Sequence, residues 1–138
     1  VKKPAGRQGG IVPALTQNFG VHPGRDATSP ITILHELQNA GADMSRVIMC
    51  HMDRTIFTQD GALEIARTGC YMEYDLFGNY VSGFYPHNPE VDLPNDAGRI
   101  AWIRWLIAEG YGDRLLVVSR GDRKLVECPL GTAGRQED

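Results

Sequence analysis

The sequence predicts an α/β fold in which the strands of a parallel sheet alternate with helices. Two apolar runs of strand length, 47–50 and 115–118, are continuous rather than alternating, as in sheets covered on both faces. Between such runs, apolar residues recur every three or four positions, which is typical of helices. The 138 residues include 16 glycines and 8 prolines, an excess that indicates many turns and argues against a helical bundle.

The first half of the pattern predicts a strand, a helix and a second strand. The short apolar segment 19–21 is the first strand, and His22-Pro-Gly closes it. Ser29 and Pro30 predict the start of a helix, because serine caps helices and proline suits their first turn. Gly41 predicts its end. The apolar run within residues 46–51 predicts the second strand, which is buried.

The second half repeats this order. Residues 60–68 form a predicted short helix, and residues 70–76 form the third strand. A loop follows over 83–94, where three prolines break any periodicity. Asn95 is the predicted cap of a third helix with a broad apolar face, and residues 115–119 are the last strand. Four strands and three helices therefore account for the organised sequence.

This organisation covers residues 19–119 alone. Residues 1–18 carry lysine, arginine, glycine and proline without periodicity, so we expect a flexible N-terminal arm. Residues 120–138 have alternating charges and further glycines, which predicts a flexible C-terminal tail. The chain is thus interpreted as one small domain between two tails.

Charge and cysteine content narrow the class of protein. The net charge is −3, which predicts no nucleic-acid partner and no membrane-surface partner. The three cysteines form no Cys-x-x-Cys pair, which argues against a disulfide framework and a cysteine zinc site. We see no signal-peptide pattern in the chain, and therefore expect a cytoplasmic location. Because Val1 is not an initiator methionine, we also expect a processed or incomplete product.

Two histidines follow successive predicted strands. His22 and His51 stand at carboxyl ends of strands, where ligands bind in parallel α/β folds. A neutral imidazole is the commonest metal ligand, and neighbouring parallel strands bring two of them within reach of one ion. The alternative is that each histidine is a loop residue, exposed or bonded to a backbone carbonyl.

Three charged residues complete the set of candidates. Asp75 ends the third strand and is interpreted as a general base, an orienting partner for a ligating histidine, or a helix cap. Arg25 and Arg54 follow the two histidines and could bind an anionic substrate. The alternative for these arginines is an ordinary surface bridge to the adjacent Asp26 and Asp53.

Several motifs together resemble the phosphotriesterase family of the amidohydrolase superfamily. The resemblance covers residues 21–117, and the motifs occur in the order typical of the family's phosphotriesterase-related branch. They are Val21-His-Pro-Gly-Arg25, the segment 33–43 (Ile-Leu-His-Glu-Leu-Gln-Asn-Ala-Gly-Ala-Asp), His51-Met-Asp-Arg-Thr55, the segment 69–78 (Gly-Cys-Tyr-Met-Glu-Tyr-Asp-Leu-Phe-Gly) and the segment 112–117 (Gly-Asp-Arg-Leu-Leu-Val).

The resemblance implies a fold and a metal centre. Family members are (β/α)₈ barrels with two metal ions, usually zinc, at the carboxyl ends of the strands. The four predicted strands are then similar to strands five to eight, the C-terminal half of an incomplete TIM barrel. His22 and His51 are similar to the ligands that close strands five and six, and together they would hold one metal. Asp75 would face the substrate pocket.

The chain also departs from the family pattern. The family's His-x-His on strand one and its bridging carboxylate on strand four would lie upstream of this sequence. Arg120 stands where the strand-eight motif has a metal-binding aspartate, and a cation can neither ligate a metal nor accept a proton. Half a barrel also leaves open sheet edges, which predicts self-association.

Two functional hypotheses follow from the resemblance. The first is a zinc-dependent hydrolase that cleaves small esters, lactones or amides, including N-acyl amino-sulfonates such as N-acetyltaurine, by a metal-activated water. In that case Arg25 or Arg54 would neutralise the anionic end of the substrate. The alternative is a truncated, catalytically inactive family fragment that retains only partial metal binding.

Overall fold

The computed structural model describes residues 18–78, 93–119 and 126–127. The strands are β1 (Phe19–Val21), β2 (Val47–Met49), β3 (Tyr71–Phe77), β4 (Leu115–Ser119) and β5 (Val126–Glu127). The α-helices are α1 (Ser29–Asn39), α2 (Met52–Thr55), α3 (Gln59–Arg67) and α4 (Asp96–Ala108). Two single turns of 3₁₀-helix, Met44–Arg46 and Gly112–Arg114, lead directly into β2 and β4.

The strands form one sheet in sequence order. The four strands β1 to β4 are parallel, which confirms the predicted α/β class. The short β5 pairs antiparallel with β4 through Leu116 and Val117, and it lies in the segment predicted as a tail. Among the described residues β1 has β2 as its only strand neighbour, so it is an edge strand. Most of the predicted proline loop, most of the predicted N-terminal arm and most of the predicted tail lie outside the described residues.

The predicted elements are found close to their expected positions, and the unpredicted β5 is joined by two further differences. The strand predicted over residues 115–119 has those bounds, and Asn95 caps α4 as expected. Thr28, not Ser29, occupies the N-cap of α1, and its side chain makes no capping hydrogen bond. The four-residue α2 was not predicted, because one turn of helix is too short to show a 3.6-residue periodicity.

One face of the sheet is buried beneath the helices. Along β3 the exposure alternates, with Met72, Tyr74 and Leu76 buried and Glu73 and Asp75 only partly buried. The buried cluster that covers this face includes Leu34 of α1, Val47 and Met49 of β2, Ile65 of α3 and Leu106 of α4. The opposite face therefore carries the polar side chains of β3. No helix in the described part of the chain is long and apolar enough to cross a membrane.

The start of α4 offers a test of this framework. The Asn95 side-chain oxygen accepts a hydrogen bond of 2.9 Å from the backbone N–H of Gly98, which satisfies a donor that the helix leaves open. We expect Asn95→Ala to lower the free energy of unfolding by about 1 kcal/mol, measured by urea denaturation. Asn39→Ala, at the exposed end of α1, is the control and should not lower it. Equal losses in both variants would contradict the capping role of Asn95.

Candidate metal centre

The structure brings His22 and His51 together at the carboxyl edge of the sheet. β1 and β2 are parallel neighbours, and their pairing continues to the histidines because the Cys50 N–H donates to the Val21 carbonyl at 3.0 Å. Nδ1 of His22 lies 2.8 Å from Nε2 of His51, and the ring centroids are 4.8 Å apart. Two imidazoles from successive strands therefore face each other through one nitrogen each.

The backbone of His51 is held in an unusual conformation. Its φ of 62° and ψ of 39° place it in the left-handed region, and it is the one non-glycine residue with positive φ in the described part of the chain. Such a conformation is costly for a residue with a Cβ and persists only where its surroundings enforce it. Here it turns the chain from β2 into α2, and the His51 carbonyl accepts the Arg54 N–H at 3.2 Å.

Asp75 contacts the other nitrogen of His51. Its two carboxylate oxygens lie 2.8 Å and 2.7 Å from Nδ1 of His51, and both side chains are largely buried. Because a carboxylate only accepts hydrogen bonds, Nδ1 of His51 carries the hydrogen, and in the neutral imidazole Nε2 then presents its lone pair. The contact is of the kind that an orienting partner makes, and the catalytic interpretation of Asp75 as a general base stays a prediction. The helix-cap interpretation is wrong, since Asp75 lies within β3.

Both imidazoles are suitable ligands for a metal ion, but the pair supplies only two ligands. Two nitrogens bound to one tetrahedral zinc at about 2.0–2.1 Å lie about 3.3 Å apart. The observed 2.8 Å is a hydrogen-bond distance, so the rings must separate slightly to admit an ion. His22 is exposed, and its Nδ1 hydrogen can therefore move to Nε2 through solvent. Within the described ranges, no three histidine, cysteine, aspartate or glutamate side chains form a metal-binding group.

A buried ion pair that the sequence did not predict lies next to this site. Asp53 and Arg99 are both fully enclosed, and Nε of Arg99 donates to Oδ2 of Asp53 at 3.0 Å. The same oxygen accepts the Leu76 N–H at 3.0 Å. The predicted surface bridge between Asp53 and Arg54 is therefore wrong, because Asp53 is a core residue bound to Arg99. The available signal was the position of Arg99, one turn before Trp102 on the inward face of α4.

Burial controls the protonation of two further groups near the histidines. Desolvation raises the pKa of Asp53 to about 6, and the charge of Asp75 adds to it, whereas the Leu76 N–H and Arg99 act in the opposite direction. Burial also raises the pKa of the Cys50 thiol, and its hydrogen bond to Glu73 adds to the effect. Cys50 is 5% exposed and belongs to the buried hydrophobic residues.

The two candidate arginines lie on the segments that leave the histidines. Arg25 and Arg54 are half-buried, each three residues beyond its histidine, and one guanidinium nitrogen of each is buried. Asp26 accepts hydrogen bonds from the N–H and hydroxyl of Thr28, which hold the pKa of its carboxyl below the usual range. Binding of a substrate anion by these arginines stays a prediction.

The parallel sheet and the paired imidazoles at its carboxyl edge define an α/β protein with a candidate metal centre. The family can be named from the sequence. A family model for the phosphotriesterase family matches residues 14–133, and the chain belongs to that family. Members of this family are metal-dependent, which agrees with the chemistry of the histidine pair.

Among curated proteins, the chain is similar to N-acetyltaurine hydrolases. It is 48% identical over 97 residues to the protein from Bos taurus, and 50% identical over 97 residues to the one from Xenopus tropicalis. Both alignments cover 70% of this chain and 28% of the relative. The protein from Dictyostelium discoideum is 47% identical over 100 residues. The chain thus spans little more than a quarter of the length of the relatives it matches.

Solved structures of the family share this fold. A variant of an organophosphorus hydrolase from Deinococcus radiodurans superimposes with a TM-score of 0.59 and 26% identity, over 73% of this chain and 28% of that one. A mutant of a phosphotriesterase-like lactonase from the same organism gives a TM-score of 0.54 with 28% identity. The likeness therefore extends over most of this chain but only part of each of those enzymes.

Proposed function

We propose that this chain supplies part of the active site of a metal-dependent hydrolase that cleaves small N-acyl amides or esters. It would correspond to strands five to eight of a (β/α)₈ barrel, with β1 to β4 in that order. The contact chain from His22 through His51 to Asp75 is the observation that carries the proposal. It presents imidazole nitrogens and an orienting carboxylate at the edge of the sheet where such barrels hold their active sites.

Each residue has a separate role in this proposal. Nδ1 of His22 and Nε2 of His51 would hold one metal ion, and Asp75 keeps His51 in the tautomer whose Nε2 is free to bind. A bound zinc supplies a water of lowered pKa and polarises the scissile bond. The remaining ligands would come from strands one to four. Asp75 thus acts through His51, as a positioning residue.

The substrate class follows from the relatives and the charges near the site. The curated relatives are named as hydrolases of N-acetyltaurine, an amide with an anionic end. Arg25 and Arg54 lie three residues beyond the two proposed ligands and offer planar donors for such an anion. We therefore propose N-acyl amino acids with a sulfonate or carboxylate as substrates, bound with their anionic end towards one of these arginines.

A second candidate function is a catalytically inactive partial barrel with weak metal binding. The observation that favours it is the count of ligands, since the described residues offer two imidazoles and no third metal-binding side chain beside them. Arg120, predicted to replace a ligating aspartate, lies outside the described residues. The open edge at β1 also leaves room for the self-association that the sequence predicted.

Metal binding by the chain itself tests both candidates. We expect isothermal titration with zinc to show one site of micromolar or weaker affinity, because two imidazoles leave a zinc site short of at least one protein ligand. The heat of binding should disappear in His22→Ala and in His51→Ala. The matched control is His35→Ala, which removes an exposed histidine in the middle of α1 and should bind as the parent does.

Two results would contradict this assignment. Nanomolar binding would mean that further ligands complete the site, and the two-ligand description would be wrong. Loss of binding in His35→Ala together with full binding in His51→Ala would place the metal elsewhere. Circular dichroism of each variant shows whether a loss of binding reflects a loss of fold.

A further inference from the structure

We propose that Arg99 is a positioning residue for the metal centre and acts by clamping the carboxyl end of β3. The three side chains of the clamp are Asp53, Arg99 and Asp96. Nε of Arg99 donates to Asp53 at 3.0 Å, and Nη1 donates to Asp96 at 2.7 Å. A planar guanidinium can hold two carboxylates at a fixed spacing, which the point charge of a lysine cannot do.

The two carboxylates bind two backbone groups of the same strand end. Asp53 accepts the N–H of Leu76, and Asp96 accepts the N–H of Gly78 through both of its oxygens, at 3.1 Å and 3.2 Å. Leu76 and Gly78 are two residues apart, at and just beyond the carboxyl end of β3, so the two carboxylates hold the chain at neighbouring points. The clamp therefore fixes the backbone immediately after Asp75.

The clamp also includes a residue of the segment that carries His51. Asp53 lies two residues after His51, in the helical turn that follows its left-handed backbone. One carboxylate thus connects the segment that carries His51 to the residue next to Asp75. Because the His51–Asp75 contact of 2.7–2.8 Å joins these same two segments, the position of Asp53 sets its length.

Arg99 and Asp53 of the clamp are buried, unlike the partners of a surface ion pair. Arg99 is fully enclosed, and Asp53 is 2% exposed. Removing an arginine and a carboxylate from water is costly, and hydrophobic side chains of similar volume would stabilise a core at least as well. The geometry therefore points to a positioning role, in which the clamp keeps His51 in the tautomer that carries its hydrogen on Nδ1.

Nitrogen-15 NMR of the histidine rings tests the proposal without any metal. In the parent chain, in mildly alkaline buffer where imidazoles are neutral, we expect His51 to show the Nδ1–H tautomer. In Arg99→Met, the ring should move towards the mixture of tautomers found in free histidine. Arg104→Met is the matched control, because Arg104 is an exposed arginine of the same helix.

A second variant keeps the test valid if Arg99→Met does not fold. Asp96→Ala removes half of the clamp at a residue whose side chain is 30% exposed, and it should shift the tautomer in the same direction but less. Its control is Asp60→Ala, which removes the corresponding first-turn aspartate from α3. An unchanged His51 tautomer in a folded Arg99→Met, or in Asp96→Ala, would overturn the proposal.

Zinc affinity is the second measurement, and for this measurement alone the inference rests on the proposed function. Loss of a hydrogen-bond partner of a metal ligand usually weakens binding 10–100-fold. Because Arg99 acts on that partner indirectly, we expect a loss of about tenfold in Arg99→Met and none in Arg104→Met. If the parent binds no zinc but the tautomer still depends on Arg99, the proposed function fails and the clamp stands. If zinc binds and the tautomer is independent of Arg99, the clamp fails alone.

Discussion

The purified 138-residue chain, supplied with zinc, is expected to show no measurable hydrolysis of N-acetyltaurine, an aryl ester or a lactone. Catalysis by a metal-activated water needs its ligands, metal ions and proton acceptor to act as a unit, and loss of one member removes most of the rate. The described residues provide one histidine pair and one orienting carboxylate. Assays of product formation over hours, at the highest soluble protein concentration, would make the measurement.

The control for this prediction is a longer relative. The N-acetyltaurine hydrolase of Bos taurus, of which the chain covers 28%, should be active in the same buffer with the same substrate. Zinc-dependent turnover by the short chain, abolished in His51→Ala, would contradict the prediction. A steep dependence of that turnover on protein concentration would indicate that a second chain completes the barrel. Turnover that survives metal removal would point to a different mechanism.

The sequence predicted the fold class because its signals are local. Continuous apolar runs, a capping Asn95 and helix-ending glycines are read within a few residues of each element, and the parallel sheet follows from their alternation. The sequence did not predict α2 or β5, because these elements have only four and two residues, too few to show a periodicity. The assignment of β1 to β4 to one half of a barrel stays a prediction, because equivalent βα units have similar geometry throughout such folds.

The predicted parts of the site likewise depend on local signals, whereas the missed parts depend on packing between residues that are distant in the sequence. His22 and His51 were proposed as a pair because parallel strands place their carboxyl ends at one edge of the sheet. The contact of Asp75 with His51 was one of three interpretations, since sequence spacing does not determine where a side chain points. Arg99 and Asp53 are 46 residues apart. The local pattern of α4 indicates that Arg99 faces inward, but it does not identify Asp53 as the partner.

Removal of Arg99 is expected to cause the largest loss of stability of any single substitution proposed for this chain. Arg99→Met leaves the Asp53 carboxyl buried without its guanidinium, and breaking a buried pair costs about 3–5 kcal/mol where the remaining group stays ionised. Because burial already raises the pKa of Asp53 to about 6, we expect the full loss in mildly alkaline buffer and a smaller loss at lower pH, where the carboxyl is protonated. Urea denaturation should show this loss, while Arg104→Met on the exposed face of α4 should change the free energy of unfolding by less than about 0.5 kcal/mol.

A double-mutant cycle separates the pair interaction from the packing of the arginine side chain. Asp53→Asn keeps an oxygen that can accept the Leu76 N–H but removes the charge, so the double variant with Arg99→Met buries no unpaired ion. We expect the double variant to be more stable than the sum of the single losses predicts, by about 1–3 kcal/mol. Strictly additive losses would show that Arg99 contributes volume alone. Because such a result would leave Arg99 and Asp53 uncoupled, it would also remove the physical basis for a clamp between α2 and β3.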